Sequence, residues 1–165
     1  MIRGGALAAL ALVAAAPAPR VLEPQGLGPV RIGMTVAAAE RALGARLRLN
    51  DSESASEACV YAQRRDHRDK GVAYMVERGR VSRIDISESG IRTARGIGIG
   101  STIAQIREAY GRAITSHPNT YTDEPEFELS LPGHRFGLDF LTERGRVTAM
   151  RGGSYPAVGY VEGCL

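Results

Sequence analysis

The sequence predicts an α+β fold of two tandem repeats, each a short helix packed on a three- to four-stranded antiparallel sheet. The chain repeats itself at a near-constant offset. Each copy reads as one capped helix with an apolar stripe, followed by alternating strands. The composition, 44% hydrophobic and 24% charged over 165 residues, is that of a folded chain of one domain or two small ones. Val30-Arg31-Ile32-Gly33-Met34-Thr35-Val36 aligns with Ile97-Gly98-Ile99-Gly100-Ser101-Thr102-Ile103 at an offset of 67 residues, and Glu77-Arg78-Gly79-Arg80-Val81 returns letter for letter as Glu143-Arg144-Gly145-Arg146-Val147 at 66. Internal repetition fixes architecture before any local pattern does. It divides the chain into units over 26–89 and 93–152, with a C-terminal extended tail over 153–165.

Ahead of the first unit, Met1 to Arg3 make a short positive start, and Ala6 to Ala16 make an uncharged apolar run of 11 residues. A bilayer span needs about 20 such residues, so the run has the length of a signal-peptide core. The expectation is a signal peptide over 1–15, cut before Ala16. No cysteine follows the run, so no lipid attachment is expected there. The mature chain is expected in the periplasm or outside the cell, where disulfides persist.

Within each unit, Val30/Ile32 and Ile97/Ile99 form an extended lead-in, and Gly33 or Gly100 turns the chain ahead of a hydroxyl residue. Thr35 and Thr102 are the expected helix N-caps. Gln105, three residues past Thr102, completes a capping box that Ala38 cannot provide in the first copy. Val36, Ala39 and Leu43, matched by Ile103, Ile106 and Tyr110, make one apolar stripe, and Gly44 and Gly111 end the helices. Four strand segments follow in each copy: Leu47/Leu49 against Ile114, Cys59 to Ala62 against Phe127 to Leu131, Val72 to Val76 against Leu138 to Thr142, and Val81 to Ile86 against Val147 to Met150. An Arg-Gly turn joins the last two. A unit of this size buries too little surface to be comfortable alone, so the copies are expected to share a core or a sheet.

Ile32-Gly33-Met34-Thr35, the helix ending in Leu43-Gly44, and the later strand-turn-strand with Gly79-Arg80-Val81 resemble the small outer-membrane lipoprotein (SmpA/OmlA) family and the beta-lactamase inhibitory proteins, with weaker echoes at Ile99, Gly100, Thr102 and Gly111. The resemblance implies tandem α+β units and a habit of binding proteins. It implies no target, and without a lipid-attachment cysteine it implies no membrane anchor.

The charges exclude one class of partner. Twenty-one basic and 18 acidic residues give a formal charge of +3, too balanced for nucleic acid to be the main partner. Gly96, Gly98 and Gly100 lack the next glycine of a dinucleotide fingerprint, since Ser101 stands there. His67, His117 and His134 have no zinc spacing and read as solvated loop residues. Asp123, Glu124, Glu126 and Glu128, like Asp51, Glu53 and Glu57, read as solvated loop carboxylates, and no nucleophile and base stand at readable spacing. No catalytic residue, cofactor or metal is therefore expected. Six tyrosines do most of the aromatic work, and amphipathic tyrosine favours interfaces. Tyr61, Tyr74 and Tyr121, with Arg64 and Arg65 of a charged hairpin tip, are the candidate interface, placed on a sheet face the helices leave bare. The function favoured is an exported non-catalytic module that binds a protein or cell-envelope component. The alternative is a small secreted hydrolase or lyase using the loop carboxylates. Cys59 and Cys164, the two cysteines of the chain, are expected to form a disulfide.

Overall fold

Residues 20–50 and 58–164, the part of the chain described by the computed structural model, form strands around two eight-residue helices. The expected signal peptide over 1–15 and the carboxylates Asp51, Glu53 and Glu57 lie outside these residues. In chain order the elements are β1 (Val21–Glu23), β2 (Gly26–Leu27), β3 (Val30–Arg31), α1 (Val36–Leu43), β4 (Leu47–Leu49), β5 (Cys59–Arg64), β6 (Val72–Glu77), β7 (Arg80–Ile86) and β8 (Arg92–Thr93). Then come α2 (Ile103–Tyr110), β9 (Thr115–Pro118), β10 (Pro125–Ser130), β11 (Phe136–Glu143) and β12 (Arg146–Ser154).

Local chemistry sets both helices. Thr35 Oγ1 accepts from Ala38 N at 3.2 Å to start α1. At α2 the capping box is complete: Gln105 N donates to Thr102 Oγ1 at 3.2 Å, and Thr102 N donates to Gln105 Oε1 at 2.8 Å. Gly44, at φ 60°, closes α1 in the left-handed region that a side chain would strain. The inward face of each helix is the expected stripe, with Ala39, Ile106 and Tyr110 buried and Val36, Leu43 and Ile103 packed against the core.

The fold is α+β, but its strands are not divided between two small sheets. They run β4-β5-β6-β7-β12-β11-β10-β9 in one continuous sheet in which every pairing is antiparallel. The expected three- to four-stranded sheet per unit is thus replaced by a meander of four strands from each half, joined along β7 and β12 from Ile86↔Met150 to Arg83↔Gly153. An exposed edge carries unpaired N–H and C=O groups, and this pairing removes one edge from each meander. Corresponding bonds recur in the two halves. Gly33 N donates to Val81 O and Gly100 N to Val147 O, while Val81 N donates to Met34 O and Val147 N to Ser101 O. Arg80 Nη1 reaches Gly33 O and Arg146 Nη1 reaches Gly100 O, each at 2.9 Å. Both Arg-Gly turns hold their two central residues at positive φ, 50° and 74° for Arg78-Gly79 and 51° and 74° for Arg144-Gly145, as a twisted two-residue hairpin requires.

The side-chain alternation of the large sheet separates two faces. One row across it is Ala62, Tyr74, Ile84, Gly152 and Leu138, and the next is Val72, Ile86, Met150, Phe140 and Phe127. These residues form the core with the helices, Tyr110 meeting Phe140 at 5.6 Å between ring centroids. A four-stranded sheet, β3-β2-β1-β8, lies over the same face and adds Leu22, Leu27 and Val30 to the core. Gly152 makes room for it: a Cβ there would sit 2.8 Å from Glu23 O. β12 continues to Ser154, past Met150 where the apolar pattern ends, because Gly152, Gly153 and Ser154 go on pairing with β11.

The tail is not extended. After β12 it forms a 3-10 turn at Ala157–Gly159, with Ala157 and Val158 buried, and crosses the opposite face of the sheet instead of pairing along an edge. Two carbonyls of this segment are drawn to a buried guanidinium, which a strand's alternating geometry would not supply. Cys164 at its end is bridged to Cys59 in β5, with Cα atoms 5.3 Å apart.

Candidate functional site

The face under the tail is built from the polar positions of the same strands. Arg83 of β7 lies at its centre, 1% exposed. Its Nη1 donates to Ala157 O at 2.9 Å and Tyr160 O at 2.8 Å, and its Nη2 donates to Tyr61 Oη at 2.5 Å and Asp85 Oδ2 at 3.0 Å. Nε stands 2.7 Å from Asp85 Oδ1 but off the line of a hydrogen bond, so this contact is an ion pair. Guanidinium geometry suits the task, since its fork can hold a carboxylate and several carbonyls at once.

Alongside runs a charged row, Asp85, Arg151, Asp139 and Glu128, one residue from each of four neighbouring strands. Arg151 Nη1 lies 3.4 Å from Asp139 Oδ2 and 3.8 Å from Glu126 Oε1. Glu126 sits in β10 opposite His117 of β9, and Asn119 Nδ2 donates to its Oε2 at 3.0 Å. Tyr155 Oη donates to Glu128, over Gly137, where a Cβ would fall 2.6 Å from that hydroxyl. Asp139 is 3% exposed, and burial, reinforced by the adjoining Glu126 carboxylate, pushes its pKa up to about 9 against the pull of Arg151. Burial and then the bond to Glu128 raise the Tyr155 phenol to about 12.

The expectation of solvated loop carboxylates is therefore corrected at three positions, the first being Glu128, a half-buried residue of β10 that accepts from Tyr155. Glu126 is a strand residue, 7% exposed, because it alternates with core Phe127. Glu124 accepts from the backbone N–H groups of Arg144 and Gly145 at 2.8 and 3.4 Å, which ties it to the β11–β12 turn. His117, too, stands in a strand, with its ring exposed on the polar side.

One of the candidate interface residues does not share a surface with the others. Tyr74 is fully buried on the helix side, so it leaves the set; its neighbour Ala62 places Tyr61 on the other face. Tyr61 is half-buried, with its hydroxyl spent on Arg83 and beneath Gly163 of the tail. Arg64 holds Asp66 with two bonds of 2.9 and 2.6 Å, which keeps the Asp66 carboxyl down at about 2, and it also faces Asp69 at 3.6 Å. Arg65 is exposed at the hairpin. Tyr121 is 65% exposed in the β9–β10 loop, its hydroxyl bonded to Glu162 of the tail.

A cleft that the sequence did not disclose opens where the halves meet, with a volume of about 600 Å³. Arg78 and Arg80 come from the first half, Arg135 and Phe136 from the second, and Tyr160 from the tail. Arg135 stacks over Phe136 at 5.8 Å. Among the described residues none of the three guanidiniums is ion-paired with a carboxylate, and Glu77 is the one acidic residue in the lining. These residues lie far apart in the sequence, and the β7–β12 pairing together with the course of the tail gathers them.

No protein-family model matches the chain, and no curated protein sequence matches it. Among solved structures it is similar to that of the uncharacterized protein yfeY from Escherichia coli, at 17% identity and a TM-score of 0.53, over 81% of this chain and 99% of that one. At this identity the likeness concerns the fold.

Proposed function

We propose that the chain is an exported, non-catalytic binding protein of the bacterial periplasm or cell surface, built from two tandem copies of one helix-and-strand unit, and that its cleft holds an acidic segment of a protein or envelope component. The observation that carries this reading is the cleft itself, with three arginines that have no carboxylate ion-pair partner among the described residues, set among Ile32, Phe136 and Tyr160. Arginine and tyrosine anchors in a concave patch are the usual seats of binding energy. The Cys59–Cys164 bridge supports export, because such bonds persist in oxidising compartments. Among the described residues no helix is long and apolar enough to cross a membrane. The corresponding hydrogen bonds at Gly33/Val81 and Gly100/Val147 support duplication, and the resemblance to SmpA/OmlA proteins and beta-lactamase inhibitory proteins points the same way. The alternative of a small secreted hydrolase or lyase using the loop carboxylates is the less favoured reading, because Glu126 of that set and the neighbouring Asp139 are buried, at 7% and 3% exposure.

Capture from an envelope extract tests the proposal. The disulfide-bonded protein retains its partner at low salt and releases it as salt rises. An R78E/R135E variant with an unchanged melting temperature loses it. Equal capture by the variant means that the cleft is not the site.

A further inference from the structure

His117, Glu126 and Asp139 each offer one ligand atom, and the three atoms lie within 4.8 Å of one another. Several features beyond that proximity point to a ligand. Asp139 is 97% buried, and among the described residues its Oδ1 has no hydrogen-bond partner. A buried, unpartnered carboxylate oxygen costs more than folding ordinarily tolerates. His117 Nδ1 is turned to Pro118 O at 3.3 Å, so a proton on Nδ1 leaves the Nε2 lone pair free on the other side of the ring, where Glu128 Oε2 lies 3.9 Å away. Fixing a histidine by its second nitrogen on a backbone carbonyl is how metal-ligating histidines are oriented. Glu126 Oε2 is occupied by Asn119, leaving Oε1 for a further partner. The charges also need one: Glu126 and Asp139 share the single guanidinium of Arg151, while Glu128 faces His117 Nε2 at 3.9 Å, a deficit that a proton or a cation must fill.

From this geometry we propose that His117, Glu126 and Asp139 form a binding site for a divalent transition-metal ion of the Zn²⁺ class. One imidazole and two carboxylates are a three-ligand set for zinc with an open fourth position, whereas Ca²⁺ and Mg²⁺ favour all-oxygen shells. Ligands of a tetrahedral zinc stand about 3.3 Å apart, so the site closes slightly on binding, and the exposed ring of His117 supplies that movement.

Zinc itself is the probe. The disulfide-bonded protein, stripped with a chelator, is titrated with Zn²⁺ against a chromogenic competitor, with Ca²⁺ and Mg²⁺ in parallel, and Co²⁺ is added separately to read its d–d absorption. The expected result is one Zn²⁺ per chain, little response to Ca²⁺ or Mg²⁺, and at least tenfold weaker binding in His117→Ala and in Asp139→Asn. Near-UV circular dichroism confirms that each variant is folded, and Glu126→Gln stands in for Asp139→Asn if the latter does not fold. Absence of Zn²⁺ binding would overturn the site. So would binding that survives His117→Ala, which places the ion at another histidine, or binding lost in His117→Ala and retained in the folded carboxylate variant, which reduces the site to a surface imidazole.

Discussion

At the scale of single residues, burial decides what each polar group does. Tyr74 has no exposed surface, and among the described residues its Oη is unpartnered; burial first, then the Asp69 carboxylate, push that phenol to about 12. The ring fills the core while the hydroxyl contributes nothing to offset its desolvation. Tyr74→Phe should therefore leave the denaturation midpoint unchanged or raise it, whereas Tyr74→Ala should cost about 3–5 kcal/mol through the cavity it opens. Equal losses in the two variants would show that the hydroxyl is bonded after all. Asp139 makes a pH-dependent prediction. With its folded pKa raised to about 9 from the ordinary carboxylate value of 3.8, the folded chain holds a proton that the unfolded chain releases. The stabilisation is complete below pH 3.8 and is lost as pH rises toward 9. Asp139→Asn has no proton to lose. With chelator present, the difference in denaturation midpoint between Asp139→Asn and the parent should move in favour of the variant between pH 5 and pH 8.5, and a constant difference would refute the shift. The sequence carried part of this: in Arg83-Ile84-Asp85-Ile86 the alternation marks two charges on one sheet face. That the face is roofed by the tail is a tertiary fact, which local periodicity does not contain.

At the scale of elements, the capped helices and the Arg-Gly hairpins were legible because their causes are local. Thr102 and Gln105 meet within one turn, and Gly44 needs only its own backbone conformation. The strand β12 was legible only to Met150, because Gly152 and Gly153 have no apolar pattern and are retained for clearance, against Glu23 O on one side and Ser82 O at 2.6 Å on the other. The hairpins also hold a removable cost. Arg144 sits at φ 51° with its side chain 90% exposed, in a conformation that costs a residue with a Cβ about 1–2 kcal/mol and that asparagine tolerates better. Arg144→Asn keeps the backbone N–H that Glu124 accepts and should stabilise the protein by about 0.5–1 kcal/mol, read as a rise in denaturant midpoint at constant slope. A fall would mean that the arginine side chain makes a contact worth more than the strain.

At the scale of the whole molecule, the halves are held together twice, by the β7–β12 pairing and by the tail, which leaves the second half, crosses the polar face and ends on the first half at Cys59. The bridge spans 105 residues, a loop for which the chain-entropy estimate is about 4.7 kcal/mol, with about 2–5 kcal/mol the usual loss on removing a native bridge. The same tail supplies the Ala157 and Tyr160 carbonyls that satisfy Arg83, and Val161 O, which accepts from Arg151 at 3.3 Å. Opening the bridge therefore acts on more than the unfolded chain: it frees the segment that covers the buried Arg83 guanidinium and the partly buried Arg151. Cys59→Ser/Cys164→Ser should lose about 2–5 kcal/mol of stability. It should also raise hydrogen exchange at the tail amides donated by Gly159 and Tyr160, while the β11–β12 amides stay protected. The exchange pattern separates the two contributions. A stability loss with the tail still protected assigns the bridge to the unfolded state alone, and an exposed tail shows that Arg83 cannot hold its cover without the covalent tie.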